Sequence, residues 1–433
     1  MLHLGPANPF GHHITIKRRD IMTSQTSNHV SEHSISYYGW TVTAMASLAN
    51  MIGFGIVYAY GVFMVALASE LGWSRSTLSG AFSFYAIFHT VLAFFAGRFV
   101  DKYGPRIILA IGGACIGLSM VLMCFANSIL ELYIFYGGIF SVGIAAVYTP
   151  AVTTVSHWFN EKRGLALGLN AAGVGAGSMI FSPLSGWLIS SFGWRKSYMI
   201  LGIIAWIAYI PIVKFIKQMP NVFVEVASKT KQETAIPIKG LSLSEASKTG
   251  TFWGFCMAWM LIVIALWSII VHIVPMASDR GLSLVTAGSL AGLIGASSII
   301  GRISAGFLSD RFGRKNVVIT AFLLQLLPTI WLFYLTQPWM LFIFAIFFGF
   351  STGSWAGVLP AFPADYFGNR ATGAILGFVI VFAGIGVGIG PYLSGVMFDK
   401  YGSYNMMILL CVAANIAALV SSFFIRPVMG VNK

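Results

Sequence analysis

Residues 97–106 read GRFVDKYGPR and residues 306–315 read GFLSDRFGRK, at an offset of 209. Gly97, Asp101, Lys102, Gly104 and Arg106 recur as Gly306, Asp310, Arg311, Gly313 and the basic pair of Arg314 and Lys315. A second pair, SGWLISSFG (185–193) and SGVMFDKYG (394–402), keeps the same offset. The chain is therefore a tandem of two similar halves. The runs between these signatures say what each half is.

The 433 residues are 57% hydrophobic and 9% charged, with a mean hydropathy of +0.82. Soluble domains carry about 25% charged residues, so this is an integral membrane protein. A membrane-crossing helix needs about 20 largely apolar residues. Twelve segments qualify: 41–68, 75–97, 106–126, 131–155, 164–191, 197–215, 251–277, 285–308, 316–335, 338–361, 370–396 and 405–425. They are too long for barrel strands and lack strict alternation, which leaves helices. The expected fold is an all-α membrane protein of twelve transmembrane helices in two pseudo-symmetric six-helix bundles, 37–215 and 251–425. A basic linker, 216–250, joins them, and 426–433 is a tail. Two six-helix copies of this kind suit a rocking transporter with its site between the halves.

Residues 1–36 are polar and contain five of the eight histidines, His3, His12, His13, His29 and His33. They lack the apolar core of a signal peptide and are expected to be an irregular tail. Met22 offers a second start. The net charge of +13 and pI near 9.6 raise the question of nucleic acid. Twenty of the 26 basic residues fall in tails and loops on one side, and five fall on the other. That bias marks the richer side as cytoplasmic, with both termini there, in a multi-pass protein of the cell membrane. The charge is a topology signal and not a nucleic-acid surface. The four cysteines are scattered through apolar runs without a CxxC pair, which argues against a disulfide framework or zinc site. HExxH, GxSxG and paired intramembrane carboxylates are all missing, so neither an enzyme nor a cofactor or metal is expected. No loop is long enough for a signalling domain, which disfavours a nutrient sensor.

The last basic residue, Arg302, belongs to neither side. It lies eight residues before Asp310, about 12 Å deeper along a helix. An arginine side chain reaches only about 6–7 Å toward an interface, so snorkelling does not account for it. The thirteen acids all lie in tails, loops or span ends. A buried cation without a partner is costly. The remaining arrangement is a water-filled cavity in which a substrate anion supplies the countercharge. The planar guanidinium suits a carboxylate, which it can bind through two parallel hydrogen bonds.

The doubled G-x-x-x-D-[KR]-x-G-x-[RK] signature, after the second and eighth spans, resembles the major facilitator superfamily, and the resemblance covers about 37–425. In that light the motif reads as a cytoplasmic gate. Gly97 and Gly306 permit close helix approach. Asp101 and Asp310 can accept bonds from a helix N-terminus or a basic group and hold one face shut. Ordinary flanking charge is the plainer reading. YYGW (37–40), YGVF (60–63), ELGWSRS (70–76) and WFNEKRGLALG (158–168) look like the bacterial monocarboxylate transporter and oxalate:formate antiporter branch. That branch carries an arginine at the position of Arg302, where it binds substrate carboxylate.

The same resemblance implies further site residues. Tyr148 matches a substrate-side tyrosine. Tyr58 and Tyr60 match aromatic cavity positions, although two residues apart on a helix do not share a face. Trp355 matches a cavity wall, with core packing as the alternative. Ser298 stands where mammalian relatives have an aspartate, so an Asp–Arg proton mechanism is in doubt here; it either donates to substrate or packs helices. Ala383 stands where the oxalate transporter has a second cation, which favours a monocarboxylate over a dicarboxylate. His272 and His89 are the intramembrane groups that titrate naturally near neutrality, with His272 ahead of His89 as substrate contact and proton carrier; ordinary interhelical bonding is the alternative for both. NAAGVGAGS (170–178) and AGIGVGIGP (383–391), with Pro183 and Pro391, read as small-residue helices that move as gates or pack statically.

These residues point to secondary active transport of a small monocarboxylate, lactate- or pyruvate-like, by alternating access. Proton symport is the simplest coupling, because the proton offsets the anion's charge in the membrane field. Anion exchange and efflux of a larger amphiphilic anion are the alternatives. The partners expected are a small organic anion, a proton and the lipid bilayer, with a monomer as the working unit.

Overall fold

The computed structural model of the protein describes residues 18–159, 162–218 and 240–426. Eleven continuous helices are long and apolar enough to cross a membrane. One of them, Arg163–Phe215, has 53 residues. That is about 80 Å of helix, twice what a bilayer needs. It is broken at Gly193, whose φ of 77° and ψ of 162° are not helical. The described chain therefore makes twelve crossings: α1 (Arg18–Leu71), α2 (Arg75–Tyr103), α3 (Pro105–Met123), α4 (Ile129–Trp158), α5 (163–192), α6 (194–215), α7 (Gly250–Ser278), α8 (Leu284–Phe312), α9 (Arg314–Tyr334), α10 (Met340–Phe367), α11 (Thr372–Tyr401) and α12 (Asn405–Phe423).

Local chemistry sets the boundaries. Ser74, Thr249 and Ser283 accept from backbone N–H groups of the first turns of α2, α7 and α8, which satisfies donors that a helix start leaves unpaired. Gly104 and Gly313 turn the chain from α2 to α3 and from α8 to α9 in a single residue, with φ of 78° and 82°. This is the physical reason for the second glycine of each repeated signature: a side chain is strained there. α1 is helical from Arg18 and so continues into the segment expected to be an irregular tail. Residues 1–17, most of the linker and 427–433 lie outside the described residues.

α1–α6 form one bundle and α7–α12 the other. Buried amides bond neighbouring helices within each. Asn50 Nδ2 donates to Asn170 Oδ1 at 2.9 Å, linking α1 to α5. Gln325 Nε2 donates to Asn415 Oδ1 at 3.1 Å, linking α9 to α12. Such bonds hold helices where hydrocarbon offers no hydrophobic drive for association.

The two halves meet along α2–α11 and α5–α8. An even number of crossings puts the ends of the helical bundle on one face, here called the terminal face; the other is the far face. Toward the far face the seams are tight. A Cβ on Gly395 would lie 2.7 Å from the Arg75 carbonyl oxygen, and one on Gly186 would lie 2.5 Å from that of Leu284. Toward the terminal face they part. Gly168, Gly306 and Gly377 would meet nothing within 4 Å. Apolar Ile303 and Phe307 on α8 are 61% and 79% exposed. The molecule is closed at the far face and open at the terminal face.

Gly193→Ala puts a side chain on a backbone conformation that is essentially glycine's alone. It should cost about 1–3 kcal/mol, read as a lower thermal midpoint of the purified protein in detergent. An unchanged midpoint would mean that the α5–α6 break is not fixed by Gly193.

Candidate functional site

Arg302 stands on α8, 18 residues from its far-face end at Leu284, about 27 Å along the helix. It is half-buried. Its Nη1 donates to the Ala171 carbonyl oxygen on α5 at 2.9 Å, a bond from one half to the other. Its Nε is buried with no partner. Among the described residues no carboxylate pairs with it. A guanidinium has five N–H donors, and most of these are uncommitted.

Tyr58 and Tyr148 share this region. The Arg302 charge and the Tyr148 hydroxyl are the neighbouring groups whose fields reach Tyr58. Tyr58 also packs on Trp267 of α7, with ring centroids 5.4 Å apart. Tyr148 meets Phe54 edge-on at 5.3 Å and is 37% exposed. Tyr58 of α1 thus stands near Arg302 of α8 with Trp267 of α7 against its ring, and Tyr148 of α4 stands nearby with Phe54 against its own. Two elements of this arrangement have no sequence signal. Trp267 lies in an apolar run like any core tryptophan, and a backbone carbonyl such as that of Ala171 leaves no trace in side-chain chemistry.

Other expected site residues lie elsewhere. Tyr60 is 1% exposed and donates to the Leu78 carbonyl oxygen at 2.6 Å, so of the two α1 tyrosines only Tyr58 joins Arg302. Trp355 is 2% exposed and donates through Nε1 to Gln325 Oε1 at 2.7 Å, inside the polar core of its own half. Ser298 donates to the Gly295 carbonyl oxygen of its own helix at 2.7 Å, and its backbone packs against Gly353 of α10. The donor of each side chain is taken up within its own half. Ala383 is buried on α11.

The histidines separate. His89 on α2 is half-buried and stacks on Tyr85 at 5.8 Å, with Nε2 unpartnered. Tyr85 in turn feels Tyr58. His272 is fully buried six residues from the far-face end of α7, about 18 Å nearer that face than Arg302. It therefore does not line the Arg302 site in this conformation.

The repeated signature lies at the open face. Asp310 makes no ion pair among the described residues, and the Asp101 side chain lies outside them. Gly97 would meet only the Thr149 side chain, at 3.9 Å, within its own half. Lys102 and Arg311 lie over the adjacent Tyr103 and Phe312 rings, and Arg106 is exposed. Arg314 pairs with Asp365 of α10, again within one half. Among the described residues the motif makes no ion pair between the halves.

Trp355→Phe leaves Gln325 Oε1 with only the weak Thr352 contact at 3.4 Å. It should lower stability by about 1–3 kcal/mol and leave ligand affinity unchanged in a binding titration. A large loss of affinity with no loss of stability would return Trp355 to the site.

Comparison with known proteins agrees with this geometry. The family model described as Major Facilitator Superfamily matches residues 43–310 and 297–430. The oxalate:formate antiporter of Oxalobacter formigenes is 27% identical over 402 residues, 90% of this chain and 92% of the relative. Monocarboxylate transporter 13 of Rattus norvegicus is 25% identical over 384 residues, 87% of this chain and 86% of the relative. A crystal structure of a bacterial homologue of the human lysosomal transporter Spinster, inward-facing and occupied, superposes with a TM-score of 0.66 at 16% identity, covering 90% of this chain and 94% of the other. At that identity the likeness concerns the fold alone. With nearly the whole length matched and twelve crossings in two halves, the chain belongs to the major facilitator superfamily and is a membrane transporter, not an enzyme.

Proposed function

We propose that the protein carries a small monocarboxylate across the cell membrane by alternating access, with a proton moving in the same direction. The observation that carries this reading is the Arg302 guanidinium: deep in a span, with Nε buried and unpartnered, and without a carboxylate among the described residues. A monocarboxylate replaces the Ala171 carbonyl on the guanidinium. Tyr58 and Tyr148 donate to its remaining lone pairs, and Trp267 and Phe54 cover a short apolar tail. The single cation favours one carboxylate over two, and the names of the relatives point to the same substrate class.

The terminal face is cytoplasmic by its excess of basic residues, so the conformation described is inward-open. A symported proton must leave toward that side. His272 is sealed in the closed seam and cannot release it there. His89, stacked on Tyr85, is the better carrier. Anion exchange of the oxalate:formate type is the second reading. It is favoured by the lack, among the described residues, of a carboxylate paired with Arg302 that could take a proton.

Uptake into proteoliposomes tests the substrate. Lactate, pyruvate or acetate should be transported and oxalate should not; strong oxalate transport without monocarboxylate transport would refute the reading. Arg302→Lys loses the planar fork and should lower kcat/KM by about 10- to 100-fold, the worth of a charged hydrogen bond. For coupling, His89→Gln should abolish accumulation driven by an imposed pH gradient while sparing counterflow. Wild-type counterflow that ignores the gradient altogether would favour exchange.

A further inference from the structure

The far-face closure rests on side chains outside the repeated signature. Asp399, near the far end of α11, accepts from the backbone N–H groups of Arg75 at 3.0 Å and Ser76 at 2.8 Å. These are the first residues of α2, in the other half. A carboxylate there satisfies two unpaired helix donors and complements the positive end of the helix. The Arg75 side chain adds a second bridge between halves: Nη2 donates to Asp279 Oδ1, just past α7, at 2.9 Å. Its guanidinium also lies over the Phe398 ring at 5.5 Å. Gly395, one turn below Asp399, lets the α11 backbone approach the Arg75 carbonyl closely enough for these bonds.

A second layer lies beneath. His272 Nε2 is 3.1 Å from Ser79 Oγ of α2 and 3.1 Å from the Pro391 carbonyl oxygen of α11. A carbonyl only accepts, so Nε2 carries a hydrogen. The other contact between halves, α5 on α8, has no charged pair among the described residues at its far end. It is joined by small-residue packing and by the Ser178 hydroxyl donating to the Ala291 carbonyl oxygen at 2.7 Å. The charged closure is therefore concentrated on the α2–α11 seam.

We infer that Asp399 is the gating residue of the far face: its carboxylate on the α2 N-terminus, with the Arg75–Asp279 bridge beside it, holds the carrier closed on that side. The clasp forms when the far face closes and must break when it opens, so it sets the ratio of the two conformations. Asp399 touches no part of the Arg302 site and acts on transport only through this ratio. The inference rests on the transporter's two halves and not on which anion it carries.

Distances between spin labels test it. One pair, at Leu130 and Gln337, reports the far face, and another, at Lys162 and Asn369, reports the terminal face, in protein with its four cysteines replaced. In Asp399→Ala the ratio of far-face-open to far-face-closed molecules should rise about tenfold or more, the worth of two charge-assisted bonds. The far-face distance lengthens and the terminal-face distance shortens in the same molecules. Asp399→Asn, which keeps an acceptor and the side-chain size, should show a smaller shift in the same direction. Glu70→Gln, which removes a 3.9 Å ion pair with Arg195 inside one half, should shift nothing. Unchanged distances in both Asp399 variants would overturn the inference. So would an equal shift in Glu70→Gln, which would make it a general effect of surface charge.

Discussion

A guanidinium held deep in a membrane span, with no carboxylate paired to it among the described residues, is the constraint on which the rest of the structure depends. An isolated charge at that depth is expensive. Arg302 meets the cost only in part, through one carbonyl of the opposite half and its own partial exposure. The cation therefore needs water, and water needs an opening to one face. An opening to both faces at once would be a leak. The fold answers with two rigid bundles, so that one seam can be shut while the other is open.

The two ends of the seams are built differently. At the closed far face, small residues bring backbones into contact and a carboxylate joins one half to the N-terminus of a helix in the other. At the open terminal face the repeated signature makes no ion pair between the halves among the described residues. Its glycines still turn the chain between consecutive helices, and Arg314 still ties α9 to α10.

Most of the fold was legible in the sequence because its signals are one-dimensional: apolar runs of membrane length, a constant offset of 209 between halves and a bias of basic charge. The crossing that a helix assignment alone would merge, α5 into α6, is separated by Gly193 in the SGWLISSFG repeat. Arg302 was legible because a lone cation in an apolar run has few explanations. The roles of its neighbours were not, because polarity inside a span does not say which way a side chain points. Tyr58 and Tyr60 look alike in sequence; one joins Arg302, the other bonds Leu78. His272 stands ahead of His89 by the resemblance of its segment; in the structure it lies deep in the closed seam, between Ser79 and the Pro391 carbonyl. Asp399 was readable only as flanking charge, since its partner is a backbone 323 residues away.

Thermal unfolding of the purified carrier with a panel of carboxylates, in wild type and Arg302→Ala, tests the central claim most directly. A ligand that binds the folded protein raises its midpoint by mass action. The account predicts that at least one small monocarboxylate stabilises the wild type and that the same anion has no effect on Arg302→Ala. Equal stabilisation of both proteins would contradict it, because the carboxylate would then be held by something other than Arg302.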